Sequence, residues 1–218
     1  MREVFATAEQ AQRWAERERP ADVPLREVTD KAAAGLSETV TPQGLVAVCD
    51  LPATTPAEAL ADRPPLVAVL LGVSDPGNAG TVVRVADAAG AGAVLFAGDT
   101  VDPYNGKAVR ASTGSLFHLP VARDRDASAV LAACRQAGLR LVGADGYAAE
   151  DLDSAAARLA EPTAWVFGSE AHGLPAEVRE QLDTALRVPI YGAAESLNLA
   201  TAAAVCLYAS ARASRHGR

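Results

Sequence analysis

The stretch that decides the fold is Val188–Tyr208, with the sequence VPIYGAAESLNLATAAAVCLY. It begins in a strand predicted over Ala185–Ile190, breaks into a loop of small residues and continues as a helix from about Leu197. Ser196 is the predicted N-cap, because its hydroxyl can accept a hydrogen bond from a backbone N–H of the first turn. A helix N-terminus presents N–H donors and a partial positive charge. Short polar side chains there are typical of either a capped core helix or a ligand site.

From Leu66 onward, apolar strands alternate with helices. This alternation predicts an α/β fold with a mostly parallel sheet and helices on both faces. The predicted strands are Leu66–Gly72, Ala93–Phe96, Phe117–Val121, Arg140–Gly143, Ala164–Phe167 and Ala185–Ile190. The predicted helices are Ala79–Ala89, Asn105–Thr113, Ala127–Ala137, Pro175–Leu182 and Leu197–Ala213.

A smaller α/β module precedes this pattern. Its predicted strands are Glu3–Ala6, Pro24–Val28 and Leu45–Cys49, and its predicted helices are Ala8–Arg17 and a helix capped by Asp30 that ends at Leu36. Pro52, Pro56, Pro64 and Pro65 follow, and proline lacks the N–H that helices and sheets require. We therefore predict a small domain over residues 1–50, a proline-rich linker over 51–65 and a main domain over 66–218. A short helix around Ala57–Ala61 could interrupt the linker.

Composition limits the partners that the chain can bind. Its 20 Lys and Arg against 27 Asp and Glu give a net charge of −7 across 218 residues. An acidic protein binds nucleic acid only through a local cluster of basic side chains. Lys107 and Arg110, three residues apart on a predicted helix, are the candidate cluster. The alternative is two solvated surface charges.

The cysteines and the start of the chain indicate a cytoplasmic protein. Cys49, Cys134 and Cys206 show no CxxC spacing and lie in apolar or helical runs, so we expect reduced core thiols. Met1–Gln10 is polar and charged, which predicts no signal peptide. No apolar run approaches the roughly 18 residues of a membrane span. Cysteines, histidines and carboxylates do not cluster, so we expect no metal site.

Three polar loops follow predicted strands. Their sequences are SDPGNAG (Ser74–Gly80), GSEAHGL (Gly168–Leu174) and YGAAESLN (Tyr191–Asn198). Ligands of parallel sheets bind outside the carboxyl ends of the strands, where such loops meet. We therefore expect one composite site.

The first loop matches neither GxGxxG nor GxxxxGK[ST], so it supports neither dinucleotide nor triphosphate binding. Asn78 lies at the mouth of the following helix. Arg84, about one and a half turns later, could reach back and offer its planar donors to a phosphate. The alternative is a surface pair between Arg84 and Asp87.

In the second loop, Gly168 leaves room for a ligand against bare backbone. Glu170 could position Arg84 or a substrate hydroxyl, or it could be a solvated turn residue. His172 lacks the positioned partner that general-base catalysis requires, so we interpret it as a surface or substrate-side residue. No GxSxG motif supports a nucleophilic serine.

Taken together, the loops resemble the SpoU (TrmH) family of RNA ribose 2′-O-methyltransferases. The family motifs are N-x-G-x-x-x-R, G-x-E-x-x-G, and a strand-end proline followed by S-L-N. Three motifs in this order are far more specific than one, and the resemblance covers Leu66 to about Ala211. The matching residues are Asn78, Gly80, Arg84, Gly168, Glu170, Gly173, Pro189, Ser196, Leu197 and Asn198.

The resemblance implies a C-terminal trefoil knot, which is rare among protein folds. It implies a homodimer with each active site at the subunit interface. It also implies S-adenosylmethionine as cofactor, held by the knot loops largely through backbone groups. The residues in these positions are Gly168, Val188, Ile190, Leu197 and Ala144.

The implied reaction is methyl transfer to a ribose 2′-hydroxyl of structured RNA, ribosomal RNA first and tRNA otherwise. The family's counterpart of Arg84 is the proposed base, but arginine is too basic to lose its proton readily. We assign Arg84 instead to grip the adjacent phosphate and stabilise the developing alkoxide. Asn78, Glu170, Ser196 and Asn198 would position Arg84 and the ribose.

Two departures and two alternatives accompany the resemblance. The family often carries a longer N-terminal RNA-recognition module with a basic segment, so we expect a truncated or reduced module here. A non-catalytic RNA-binding protein that kept the fold is one alternative function. A Rossmann-type oxidoreductase is the other, although the chain lacks GxGxxG.

Overall fold

The computed structural model describes residues 1–16, 22–52 and 54–216. The chain divides into two compact units, Met1–Pro52 and Ala53–Arg218. Arg17, the predicted end of the first helix, lies outside the described residues.

Over residues 1–16 and 22–52, the first unit is a three-stranded sheet with two helices. Its elements are β1 (Glu3–Ala6), α1 (Ala8–Ala15), β2 (Leu25–Glu27), α2 (Asp30–Leu36) and β3 (Leu45–Val48). The central strand β1 is parallel to β2 and antiparallel to β3. Thr29, not Asp30, caps α2, because its hydroxyl accepts from the backbone N–H of Ala32 at 3.2 Å.

The second unit contains a seven-stranded sheet in the order β6-β5-β4-β9-β7-β10-β8, and all its strand pairs are parallel. The α/β fold class predicted from the sequence is confirmed. The elements are α3 (Pro56–Ala59), β4 (Leu66–Leu71), α4 (Pro76–Ala89), β5 (Ala93–Ala97), α5 (Gly106–Ser112), β6 (Val121–Asp124), α6 (Ala127–Gln136), β7 (Arg140–Ala144), β8 (Glu150–Asp151), β9 (Thr163–Phe167), α7 (Ala176–Arg179), β10 (Thr184–Arg187) and α8 (Leu199–His216).

Helices cover both faces of this sheet because successive strand residues point to opposite sides. Leu70, Phe96 and Trp165 face one core cluster, into which α4 and α8 pack. Val69 and Leu95 face the other, which α6 completes. Since both faces are buried, β4 is apolar along its length and β9 is apolar after Thr163.

Several boundaries differ from the sequence-based expectation. The strand predicted at Phe117–Val121 lies later, at β6, because Gly114 takes a positive φ of 95° and starts a 3₁₀ turn over Ser115–Phe117. The two-residue strand β8 escaped prediction because it is short and acidic. The short helix that the sequence allows around Ala57–Ala61 is α3, which starts at Pro56 and ends at Ala59. A Thr55–Glu58 capping box begins it, and it packs on β6 and α6.

The cysteines divide into two environments. Cys134 and Cys206 are buried, and burial raises the pKa of each thiol to about 12. Both thiols therefore stay protonated and unreactive at neutral pH. Cys49 is exposed just after β3, so its predicted place in the core is wrong.

One buried hydrogen bond joins α8 to the centre of the sheet. The Trp165 side chain on β9 is fully buried, and its indole Nε1–H donates to Ser210 Oγ at 3.0 Å. We predict that Ser210→Ala lowers the free energy of unfolding by about 1–3 kcal/mol, because it leaves a buried donor without a partner. Urea denaturation measures the change.

The control is Ser214→Ala, one turn later on α8. The Ser214 hydroxyl donates to the Ser210 carbonyl at 2.7 Å and is half-buried, so its loss leaves no buried donor unpaired. We expect a change within about 0.5 kcal/mol. Equal effects of the two substitutions would contradict the role of Ser210.

Candidate active site

The loops that the sequence singles out meet at one edge of the sheet. Strands β4, β9, β7 and β10 are consecutive neighbours, so the segments that follow their carboxyl ends lie side by side. The segment after β4 begins α4, the segment after β9 is Gly168–Leu174, and the segment after β10 leads to α8.

Asn198 caps α8. Its Oδ1 accepts from the backbone N–H groups of Ala200 at 2.9 Å and Thr201 at 3.3 Å. The predicted N-cap, Ser196, lies two residues earlier in the wall of a cavity. The sequence placed the cap at the wrong polar residue because serine and asparagine are both favoured N-caps.

The cap fixes which way the Asn198 amide faces. Because its oxygen meets the helix N–H groups, its Nδ2 is left to donate, and it does so to Asn78 Oδ1 at 3.0 Å. The Asn78 amide is thereby fixed too, and its Nδ2 donates to Glu170 Oε1 at 2.8 Å. A directed chain of hydrogen bonds, which we call the amide relay, therefore runs from α8 through Asn198 and Asn78 to Glu170.

The segment before Asn78 is held from the other side. Asp75 caps α4, accepting from the Asn78 backbone N–H at 2.7 Å and from Lys107 Nζ at 2.9 Å. The hydrogen bond from Lys107 and that from the Asn78 backbone hold the pKa of Asp75 below its ordinary value. Lys107 is therefore anchored beside the first loop, and Arg110 lies almost one turn further along α5.

Arg84 lies apart from the relay within one chain. Its side chain is exposed, and its Nη1 donates to Thr113 Oγ1 at 3.4 Å. Asp87, the alternative partner, lies 2.7 Å from His118 Nδ1 instead. Arg84 is six residues after Asn78, which is about 9 Å along the helix axis. The described contacts thus bring Asn78, Glu170 and Asn198 together without Arg84.

A cavity of about 800 Å³ opens beside the relay at the ends of β9, β7 and β10. This cavity, which we call the nucleoside cavity after the cofactor that the sequence resemblance implies, is within the size range of small-molecule sites. Its wall contains Ser196 and all five residues predicted to bind a cofactor, namely Ala144, Gly168, Val188, Ile190 and Leu197.

Gly168 shapes this wall through a close backbone approach. A Cβ at Gly168 would lie 2.3 Å from the backbone carbon and oxygen of Gly173. Any larger residue would push the Gly168–Leu174 loop away from the end of β9. The space beside the Gly168 Cα is therefore occupied by the backbone of its own loop, and the room for a ligand that the sequence predicts there stays a prediction.

A second cavity of about 490 Å³ shares this loop as part of its wall, and Gly72, Ser74, Asp75 and Asn78 also line it. We call it the polar cavity. Residues 169–172 line both cavities, so Glu170 stands between them. His172 is exposed beside it, and its backbone N–H donates to Ser169 Oγ at 3.2 Å.

A family model described as the SpoU rRNA Methylase family matches residues 65–208. The chain belongs to this family. The match covers the second unit almost completely, and it contains all three loops.

Two curated relatives and one solved structure illustrate the similarity. RlmP of Bacillus subtilis, a 23S rRNA (guanosine(2553)-2′-O)-methyltransferase, is 37% identical over 184 residues, which cover 83% of this chain and 70% of RlmP. A 23S rRNA (uridine(2479)-2′-O)-methyltransferase of Streptomyces viridochromogenes is 38% identical over 187 residues, covering 81% and 63%. The SpoU methyltransferase AviRb of the same organism, in complex with AdoMet, superposes with a TM-score of 0.81 at 30% identity, covering 100% and 84%.

The nucleoside cavity also contains charged residues that sequence reasoning missed. Asp145 follows Ala144 directly, and Arg179 Nε lies 3.4 Å from its Oδ2. Glu195 precedes Ser196. The Asp-Gly pair at 145–146 is a turn signal at a strand end, and it could have indicated Asp145.

Two further expectations concerned absences. No group of three or more potential metal ligands occurs among residues 1–16, 22–52 and 54–216. Over the same residues, no helix is both long and apolar enough to cross a membrane.

The two candidate caps of α8 can be separated by mutation. We predict that Asn198→Ala lowers the free energy of unfolding by about 1 kcal/mol, because it removes the cap, whereas Ser196→Ala changes it by under about 0.5 kcal/mol. Asn198→Asp keeps the cap acceptor but sets an oxygen against Asn78 Oδ1, so it should recover only part of the lost free energy. Thermal or urea unfolding measures all three, and a larger loss for Ser196→Ala than for Asn198→Ala would contradict the cap.

Proposed function

We propose that this chain is an RNA ribose 2′-O-methyltransferase that takes its methyl group from S-adenosylmethionine and acts on ribosomal RNA. The predicted reaction class agrees with the relatives, which are 23S rRNA 2′-O-methyltransferases, and the cofactor with the AdoMet-bound AviRb structure. The observation that carries the proposal is the amide relay, which ends in a carboxylate between two cavities.

The nucleoside cavity fits the cofactor. Its volume of about 800 Å³ exceeds what an adenosyl group with an amino-acid tail requires, and Gly168 brings bare backbone to its wall. Val188, Ile190 and Leu197 offer apolar contact to an adenine ring. When bound, S-adenosylmethionine supplies a methyl carbon already activated by a sulfonium.

The polar cavity is then the place for the RNA ribose. Asn78 occupies one oxygen of Glu170, and the carboxylate keeps further acceptor capacity for a ribose 2′-hydroxyl. As the hydroxyl oxygen bonds to the methyl carbon and the carbon–sulfur bond breaks, Glu170 takes the hydroxyl proton. Because the relay fixes Asn78 and Glu170 beforehand, the hydroxyl is oriented without reorganisation of the site.

Basic side chains on α4 and α5 serve the RNA backbone in this proposal. Arg84, Lys107 and Arg110 lie on two helices that pack against each other beside the polar cavity. In a chain of net charge −7, this cluster gives RNA phosphates a local positive surface.

We infer a homodimer from the exposed face of α8. Val205 and Tyr208 are 39% and 45% exposed, although the helix is otherwise rich in apolar residues, and exposed Thr201 continues the same face. The Tyr208 hydroxyl lies 3.4 Å from the Ala88 carbonyl, so this face borders α4, the helix that carries Arg84. A second copy seated here would meet Arg84, which supports a role of Arg84 in the partner's site.

The trefoil knot, the cytoplasmic location and an RNA-recognition role for the first unit belong to the same proposal. The knot rests on family membership, and the location on the cysteine pattern. The role of the first unit rests on its small α/β fold preceding the catalytic unit.

Two experiments test the function. Ribose-methylation mapping of ribosomal RNA from cells with and without the gene should show one or a few sites lost in its absence. Calorimetry should show binding of S-adenosylmethionine and S-adenosylhomocysteine but not of NAD. If rRNA methylation is unchanged and a tRNA position loses its methyl group instead, the substrate is tRNA and not rRNA. If the protein binds NAD but neither adenosyl ligand, the proposed methyl transfer is wrong.

Mutations of Arg84 and Glu170 test whether one active site takes Arg84 from one subunit and Glu170 from the other. Each of Arg84→Ala and Glu170→Gln should reduce methyl transfer by about a hundred- to a thousandfold, because each removes one preorganised polar contact. Arg84→Lys keeps the charge without the planar fork, so it should restore only part. S-adenosylhomocysteine binding should stay near wild type in Arg84→Ala.

Mixing the two inactive variants distinguishes the two arrangements. If Arg84 serves the partner's site, a mixed dimer holds one site with both native residues, and an equimolar mixture recovers about a quarter of wild-type turnover. If Arg84 serves its own site, the mixture stays inactive. Light scattering at micromolar concentration supplies the control, since a monomer would remove the interface.

A further inference from the structure

Asp145 is a carboxylate in the nucleoside cavity that the mechanism above does not use. It follows β7 directly, and its side chain is only 12% exposed, whereas Glu170 and Glu195 in the same wall are exposed. A carboxylate so far removed from water requires hydrogen-bond donors to offset the cost of its burial.

The contacts of Asp145 leave part of its acceptor capacity unused. Oδ1 accepts from the Tyr147 backbone N–H at 2.9 Å. Oδ2 faces Arg179 Nε at 3.4 Å, longer than the roughly 2.7–2.9 Å of a strong charge-assisted hydrogen bond. Since an ionised carboxylate offers about four acceptor positions, Asp145 can accept further hydrogen bonds from a ligand.

The loop around Asp145 is held in place for such a ligand. Arg187, at the end of β10, donates to the Ala148 carbonyl at 2.8 Å and to Asp151 Oδ2 at 3.0 Å. The Asp145 backbone N–H donates to the Leu186 carbonyl at 3.0 Å. The segment after β7 is therefore bound to β10 on both sides of the carboxylate.

The order of the strands indicates which part of the cofactor Asp145 meets. Asn78 follows β4, Glu170 follows the neighbouring strand β9, and Asp145 follows the next strand, β7. The reacting methyl group must face Glu170, and adjacent strands are about 5 Å apart. That step is comparable to the distance from a sulfonium to the hydroxyls of its attached ribose.

On this basis, which rests on the proposed function, we infer that Asp145 accepts hydrogen bonds from the ribose hydroxyls of the adenosyl group and thereby selects an adenosyl cofactor. A carboxylate that grips a ribose diol is established chemistry for nucleotide sites on parallel sheets. Arg179, beside Asp145, makes the place unfavourable for the cofactor's ammonium group and suits a neutral donor.

The test is a calorimetric cycle with ligands that differ in the groups concerned. Wild type should bind S-adenosylhomocysteine about ten- to a hundredfold more tightly than its 2′,3′-dideoxyribose analogue, the range for a hydrogen bond to a charged group. Asp145→Ala should bind both ligands with the same affinity, equal to the affinity of wild type for the dideoxyribose analogue. A weakening of both ligands by the same factor in Asp145→Ala, or an unchanged preference, would overturn the inference.

Two variants and one ligand exclude indirect effects. Asp145→Asn keeps an acceptor for the Tyr147 N–H, and its preference for the diol should fall while its unfolding midpoint stays near wild type. Arg179→Ala removes the ion pair but keeps the carboxylate, so it should retain the preference. 5′-Methylthioadenosine lacks the amino-acid tail, and Asp145→Ala should weaken it as much as it weakens S-adenosylhomocysteine.

The outcomes also separate this inference from the proposed function. If 5′-methylthioadenosine binding resists Asp145→Ala while S-adenosylhomocysteine binding falls, the carboxylate contacts the tail and the inference fails alone. If Arg179→Ala no longer prefers S-adenosylhomocysteine over the dideoxyribose analogue, Arg179 and not Asp145 binds the ribose hydroxyls. That result would also overturn the inference. If wild type binds no adenosyl ligand, the proposed function and the inference fail together.

Discussion

The amide orientation of Asn198 is the constraint on which the site depends. Two backbone N–H groups at the start of α8 have no carbonyl within the helix to donate to, so they donate to the oxygen of the Asn198 side chain. Each later bond in the amide relay follows from this one, because an amide that accepts at one end must donate at the other. The capped start of α8 thus determines that Asn78 presents its NH₂ group, and not its oxygen, to Glu170.

This direction has a geometric consequence. The bond from Asn198 holds the Asn78 amide, and the bond from Asn78 holds Glu170 Oε1, so the start of α8 fixes where the carboxylate lies. In the reverse orientation, the Asn78 oxygen would face a carboxylate oxygen, and two acceptors cannot form a hydrogen bond.

The sequence predicted much of this arrangement because the parallel sheet aligns the ends of its strands. Strand alternation gave the α/β fold, and the loop positions gave the residues that form the relay and the wall of the nucleoside cavity. It misplaced the cap of α8, since serine and asparagine share the same preference and only the fold shows which one meets the N–H groups. It missed Asp145, whose position depends on which strand lies beside β9, and strand order is not encoded in local pattern.

Arg84 shows the limit of local reasoning about charge. Helical spacing placed it within reach of the first loop, but its guanidinium contacts the Thr113 hydroxyl beside α5. Lys107, by contrast, is bound to Asp75, so a phosphate that approaches Lys107 must compete with a carboxylate that also caps α4. The described partner of Arg84 is a neutral hydroxyl at 3.4 Å, and its positive charge is therefore more available to RNA. Of these two basic side chains, we therefore expect Arg84 to be the better phosphate ligand, which agrees with our proposal that a second copy completes the site.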